Sequence, residues 1–532
     1  MGDPGDAFVT IDHGTATTAA AVVVRAGGRQ RLAGSIGLPA HVGDEATLDI
    51  LSRRLGEAGE ADGLVDVGAI AGLPRLETRT SAPPVLVVLA ASVRGRDRLT
   101  GLARRAGWLV RGHDLASEDA RSAVIALTRR DVSAILVGAD DPPGADERGL
   151  VGDLAAVVAA AVARRPELIA IHAGSMGDLA PSVASDGDDI ATTILAPAPL
   201  PDDGTDDPLV TLLDELRAEP DDGRRAAARA LGSLARVLDR RILLVDVGVS
   251  AGLIARADPT GPGGPAQVRS AITAAGALVP IDLDDGTLEA IAAWIPEAPD
   301  RHRLRDRLTG LRENPNGGAT GEGALLRMAA ARAAVTRLAD GVTWTWRPNG
   351  PDLVLVAGGA WSVAPGSAVA LALCDALRHD GARSLGHDAA RLLGPLGMIA
   401  DEEEREAVVA DLVDDIVVPL GSVVMPALAA GRKQHGEMTV RVGGAESSLP
   451  LIAGGLELFD LPPGQAAEAV ISFSDPVVLG TRGKRFAIDV AGGLGGLLVD
   501  LRGVPLTLPE NPDQRRLRVD AWQRAMWAGI DG

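Results

Sequence analysis

Two stretches more than two hundred residues apart read alike: Phe8-Val-Thr-Ile-Asp12-His-Gly14-Thr15 before an apolar run, and Ile242-Leu-Leu-Val-Asp246-Val-Gly248-Val before Ser250-Ala-Gly-Leu-Ile. Each reads as a buried strand that delivers Asp-x-Gly into a tight turn and then into a second strand. Repetition of a whole strand-turn-strand unit points to two similar halves facing one cleft, each supplying a carboxylate and a bare backbone turn. Asp-x-Gly after a strand is also an ordinary turn sequence, so either copy taken singly leaves a purely structural reading open.

The spacing suits phosphate chemistry. Glycine two residues beyond the aspartate permits a left-handed turn and a close approach of backbone N–H groups to phosphate oxygens. A carboxylate at a strand end suits hydrated Mg²⁺, which retains several waters. Asp12 and Asp246 are therefore the candidate Mg²⁺ ligands, through water, and Gly14, Thr15, Thr18, Gly248 and Ser250 are candidate phosphate contacts. A third element, Asp352-Leu-Val-Leu-Val-Ala-Gly358-Gly359-Ala360, ends another apolar strand in a Gly-Gly turn. Glycine is so abundant here, 65 of 532 residues, that the pair alone decides little, and the order of the three turns carries the weight. That order resembles the superfamily of sugar kinases, actin and heat-shock chaperone ATPases. The resemblance implies ATP and Mg²⁺ as cofactors, phosphates on the first two turns, and adenosine against Gly358, Gly359 and Ala360.

Composition narrows the partners. A net charge of −20 disfavours nucleic acid or an anionic membrane, since either calls for a basic face. The longest apolar helix-like run, Leu154 to Ala163, is well short of the ~20 residues that span a bilayer, and no charged, apolar leader opens the chain, so a cytoplasmic location is expected. Cys374 is the only cysteine, which excludes an intramolecular disulfide and a multi-thiolate zinc site. Lys433 and Lys484 are the only lysines, so a phosphate-clamping cation would have to be arginine or metal. The histidines form no His-x-x-x-His pair, and no Gly-x-x-x-x-Gly-Lys-Ser/Thr loop is present.

Residues 7 to 36 read as a β-meander, and 84 to 174 as alternating strands and helices of a parallel sheet. A helix over Arg224 to Asp239 leads into the second half, where helices are expected over Gln267 to Ala275, Leu288 to Trp294, Glu322 to Leu338 and Ser367 to Arg378. From Asp415 the pattern turns to short strands with Gly/Pro punctuation. The expected fold class is α/β: a two-lobed, actin-like (ribonuclease-H-like) ATPase core with a C-terminal β domain. The expected divisions are 1–240 (first half with an α/β insertion), 241–414 (second half) and 415–532 (β domain).

The tail carries a more specific likeness. Gly492-Gly493-Leu-Gly495-Gly-Leu-Leu-Val-Asp500-Leu-Arg502-Gly503-Val-Pro505-Leu506-Thr-Leu508-Pro509 resembles the closing signature of the glutamate mutase L family. Val418-Pro-Leu-Gly421-Ser-Val-Val424 and the stretch from Ser384-Leu-Gly-His-Asp388 to Gly394-Pro-Leu-Gly397 extend it. The resemblance implies an ATP-binding accessory or reactivating protein for an adenosylcobalamin-dependent carbon-skeleton mutase, with at most a weak ATPase activity and no mutase activity of its own. Two loops depart from the family pattern. Its second turn reads Asp-x-Gly-Gly-x-Thr-Thr-Asp, whereas Asp246-Val-Gly248 continues here as Val-Ser250-Ala-Gly-Leu. Its Gly-Gly-Thr-Asp-Gly-Gly loop stands here as Gly138-Ala-Asp140-Asp141-Pro-Pro-Gly144, which keeps Asp141 as a phosphate-site candidate but loses backbone donors to proline. These departures support an alternative, a non-hydrolysing scaffold on the same fold. No Asp-x-His-x-x-Gly run is present, so no direct cobalamin site is visible. His13 reads as a turn histidine, with proton shuttling or phosphate contact as the other reading; Trp361 as a core residue or one that stacks on a base; and Arg502 as paired with Asp500 or with a backbone carbonyl, with partner binding as the lesser reading.

Overall fold

A computed structural model of the chain describes residues 7–527 apart from 59–66, 139–144, 175, 177–192, 201–206, 218, 220–221, 262–263, 274–275, 298, 316–320, 343–349, 363, 378, 428–434 and 505. Strands β1 (Ala7–His13), β2 (Thr17–Ala26) and β3 (Arg29–Pro39) form an antiparallel meander, and β4 (Arg75–Arg79) lies parallel to β1, giving the order β3-β2-β1-β4. Next come β5 (Val85–Ala90), β6 (Leu109–Asp114), β7 (Val132–Gly138), β8 (Ile169–Ala173) and β9 (Thr193–Ala196), an all-parallel sheet in the order β6-β5-β7-β8-β9. Its interior strand β5, Val-Leu-Val-Val-Leu-Ala, is buried at every position, as a strand covered by helices on both faces must be.

The second half repeats the first. Strands β10 (Ile242–Val247), β11 (Gly252–Asp258) and β12 (Gln267–Thr273) again form a meander. Strand β13 (Leu353–Ala357) again lies parallel to the first strand, and β14 (Gly381–His387) follows it, giving β12-β11-β10-β13-β14. The segment from Gln267, expected as a helix, is thus a strand. Its Ala- and Ile-containing run is compatible with either state locally, and antiparallel pairing with β11 from Asp258↔Gln267 to Gly252↔Thr273 overrides the helical preference. The helix Arg301–Glu313, unmarked in the sequence reading, is capped by Asp300, whose carboxylate accepts the N–H groups of His302 and Arg303.

Beyond residue 415 the strands divide between two sheets. These are β15 (Val418–Met425), β16 (His435–Val442), β17 (Ala445–Ile452), β18 (Leu456–Phe459), β19 (Ala466–Leu479), β20 (Thr481–Ala491) and β21 (Leu497–Asp500). Strands β15, β21 and β18 extend the large sheet past β14, while β17-β16-β19-β20 form an antiparallel sheet packed on them through Met438, Val440, Ile471, Val424, Leu497 and Val499.

The helix Gly223–Leu238 joins the two repeated units. Asp222 caps it by accepting the N–H groups of Arg224 and Arg225, and Asp239 ends it in a left-handed conformation (φ 47°). Its apolar side chains, among them Leu231 and Leu234, pack against Phe8, Val23 and Leu76 of the first sheet and Ile242, Leu244, Leu253 and Leu355 of the second. Each fully buried leucine contributes roughly 1.5–3 kcal/mol. No helix among the described residues is long and apolar enough to cross a membrane.

The glycines of the tail signature are packing devices. A side chain on Gly495 would meet the Gly366 carbonyl carbon at 2.6 Å, and one on Gly366 would meet the Gly495 nitrogen at 2.7 Å. One on Gly493 would meet the Pro419 oxygen at 2.6 Å. The backbone of this segment therefore runs directly against β15 and the start of the helix Gly366–Leu377. Arg502 is 1% exposed and pairs with Asp500 at 2.6 Å, as expected from the sequence, and also with Asp375 at 2.7 Å. Its guanidinium lies 4.6 Å from the Trp522 ring centroid.

Candidate functional site

The two Asp-x-Gly turns share one backbone plan. The Gly14 N–H donates to the Thr17 carbonyl at 2.9 Å, and the Gly248 N–H donates to the Ala251 carbonyl at 3.1 Å. A side chain at Gly14 or Gly248 would meet that carbonyl at 2.8 and 2.9 Å respectively. Neither glycine is left-handed, contrary to expectation; closure of the turn onto its own carbonyl is what excludes a side chain. The partner strands correspond as well. Asp12 is in register with Thr78 of β4, and Asp246 with Ala357 of β13, just before Gly358.

These elements line one crevice of about 70 Å³, whose walls include Asp12, Gly14, Thr15, Asp246, Gly248, Gly358 and Gly359. Of the residues picked out from sequence, these seven are brought together. Gly358 is left-handed (φ 92°), and a side chain there would collide with an Asp246 carboxylate oxygen and stand 2.5 Å from the Val247 carbonyl oxygen. Thr18 is buried at 3% exposure and off the crevice, because strand alternation turns its neighbour Thr17 toward the cavity. Ala360 and Trp361 are buried in the core of the second half. Ser250 lies on the rim, where the Thr15 hydroxyl donates to its Oγ at 3.4 Å across the two turns. Asp141 lies outside the described residues. His13 faces Asp44 at 3.4 Å.

Three arginines missing from the sequence reading also reach this crevice: Arg224, Arg327 and Arg391. Arg391 Nη1 is 3.8 Å from Asp12 Oδ2, while the Thr78 hydroxyl donates to Asp12 Oδ1 at 3.1 Å. The same guanidinium backs onto Gly359, where an added side chain would meet it at 3.1 Å. Arg224 donates to the Ala251 carbonyl at 2.9 Å and stands against Gly248. Arg327 Nη1 donates to the Gly359 carbonyl at 3.2 Å.

Asp246 keeps part of its surface open to the crevice, yet burial pushes its carboxyl above the usual range, offset by Arg224 and reinforced by Asp12. Asp388, 2% exposed, accepts the N–H groups of Leu392 and Leu393 at 2.9 and 3.0 Å. Burial raises its carboxyl to about 7 despite those bonds.

As arranged, the carboxylates of Asp12 and Asp246 do not fit a hydrated divalent ion. Each has a guanidinium for a neighbour: Arg391 Nη1 stands 3.8 Å from Asp12 Oδ2, and Arg224 offsets the charge of Asp246. The lining carboxylates Asp12, Asp246 and Asp388 are matched by the guanidiniums of Arg224, Arg327 and Arg391. Beyond Thr15, Ala16, Val249 and Pro315 the space widens into a second cavity of about 710 Å³, bounded by Trp108, Val279, Ile281, Arg104, Arg312 and Arg337. That volume lies within the roughly 300–1,000 Å³ of small-molecule pockets.

No known family profile matches the chain, and no curated protein matches it. Among solved structures, it is similar to the PilM-PilN type IV pilus biogenesis complex, with 11% identity, 76% of this chain and 99% of that one covered, and a TM-score of 0.27. It is also similar to the Ppx/GppA family member of Aquifex aeolicus, with 9% identity, 76% and 86% covered, and a TM-score of 0.18. A further Aquifex aeolicus PPX-GPPA enzyme gives 8% identity, 77% and 92% covered, and a TM-score of 0.19. At such scores the likenesses add no weight to the site, which stands on the repeated strand order and the crevice geometry.

Proposed function

We propose that this chain is a nucleotide-binding accessory protein of two-lobed, actin-like build, with units near 1–240 and 241–414 and a β-rich unit over 415–532. ATP phosphates would lie between the Asp12–Thr15 and Asp246–Gly248 turns, with adenosine beside Gly358 and Gly359. The observation that carries this reading is the duplicated strand order, which delivers two identically hydrogen-bonded turns and a Gly-Gly turn to one crevice. A nucleotide there would compete for Arg391 and Arg224, which now contact Asp12 and the Ala251 carbonyl, and nucleotide state would bias closure of the lobes. The partner is proposed from the tail resemblance: an adenosylcobalamin-dependent carbon-skeleton mutase such as glutamate mutase.

Calorimetric titration of the full chain with ATP tests the site. A saturable heat is expected, and no heat at millimolar ATP overturns the reading. Hydrolysis compared in wild type and Asp12→Ala then separates a weak ATPase from a static ligand. Co-elution with a purified cobalamin-dependent mutase tests the partner. A second reading, a non-hydrolysing scaffold, is favoured by the arginine side chains that contact Asp12 and the second turn in the crevice.

A further inference from the structure

We propose that Arg391 is the resident counter-ion of the crevice, taking the place a divalent metal would hold, so that phosphate groups bind here as metal-free anions clamped by Arg391 and Arg224. This rests on the nucleotide reading above. Arg391 is held in a left-handed backbone conformation (φ 53°), which bulky residues adopt at a cost. The loop is fastened around it. The Asp388 N–H donates to the Val356 carbonyl of β13 at 2.9 Å, and the Asp388 carboxylate accepts the N–H groups of Leu392 and Leu393 on the far side of Arg391. The outcome of this constraint is a guanidinium set between the Asp12 carboxylate, the Gly14 turn and Gly359. Those are the groups that would surround a metal bridging acid and phosphate.

The two arginines reach across the cleft in opposite directions. Arg391 follows β14 of the second unit and meets Asp12 of the first, whereas Arg224 precedes β10 and meets the Gly248–Ala251 turn of the second. A planar guanidinium offers parallel N–H donors to phosphate oxygens and stays charged at any physiological pH. With two such groups facing the turns, part of the charge of a phosphate chain is balanced without a metal.

The test is titration of ATP into the full chain in buffer containing EDTA and in buffer containing Mg²⁺. Dissociation constants within about threefold of each other are expected. Arg391→Gly, which suits the left-handed backbone and so preserves the loop, should weaken metal-free binding by at least about tenfold, the loss of a charge-assisted pair. Arg391→Lys should recover only part of it. Far-ultraviolet circular dichroism of both variants confirms the fold. Binding that requires Mg²⁺, or Arg391→Gly binding as tightly as wild type in EDTA, overturns the proposal while the nucleotide reading stands. No binding in either buffer overturns both.

Discussion

Replacing Gly358 with alanine tests whether the third turn truly abuts the second acidic strand. Two costs add. At φ 92° a non-glycine residue is strained by about 1–2 kcal/mol. The new carbon would also stand 2.5 Å from the Val247 oxygen and 2.8 Å from the Val247 carbonyl carbon, distances real side chains do not show, so a strand end must shift. Such overpacking costs a further ~1–3 kcal/mol. Gly28→Ala is the matched control, because Gly28 is also left-handed (φ 82°) with nothing within 4 Å of an added carbon. Urea unfolding followed by tryptophan fluorescence reads the outcome, since Trp361 and Trp294 sit in the core of the second unit. A loss of about 2–5 kcal/mol for Gly358→Ala, larger than the about 1–2 for Gly28→Ala by the overpacking cost, is expected. Equal losses would refute the contact between the Gly358 turn and β10.

Three other perturbations follow from buried charge and backbone strain. The Asp388 carboxyl titrates at about 7 rather than near 3.8, so the folded state holds its proton more tightly than the unfolded chain and loses up to about 4 kcal/mol as pH rises from 4 to 8. Denaturation across that range should be flatter for Asp388→Asn, which at pH 5 should also be weaker than wild type because one amide nitrogen cannot accept a backbone N–H; an unchanged pH slope would count against the assignment. Arg502→Met should cost about 3–5 kcal/mol in urea, because Asp375 and Asp500 lose a shared buried cation; a near-neutral result would mean those acids are solvated. Asp239→Gly should raise stability by about 1 kcal/mol by relieving the left-handed end of the helix Gly223–Leu238, and a loss would show that the Asp239 side chain has a stabilising role.

The acidic turns were legible in sequence because each is announced by an apolar strand, and burial of both β1 and β10 follows from that composition. Thr18 was misplaced for a reason the strand period already held: with Thr17 facing the crevice, Thr18 must face the opposite side. Strand β12 was hidden because pairing with β11, not local propensity, decides its state. Arg391 had no local mark at all. It lies well over three hundred residues from Asp12, and its left-handed backbone is imposed by the surrounding hydrogen bonds of Asp388.

The tail signature and the crevice are physically separate features, which bears on how far the family resemblance reaches. The glycines from 492 to 496 are required because backbone packs on backbone against Gly366 and β15, and Arg502 is required to neutralise Asp375 and Asp500. Such constraints preserve a sequence pattern through packing alone, whatever happens at the cleft. The acidic turns are built differently. Their backbone hydrogen bonds are equivalent, and each carboxylate has an arginine nearby, Arg391 at Asp12 and Arg224 at Asp246. On the proposed function, parting of the lobes would break the Arg391–Asp12 and Arg224–Ala251 contacts together, and an entering ligand would have to replace both. Phosphate oxygens can do so for the two guanidiniums, and that exchange would couple occupancy of the crevice to the angle between the lobes.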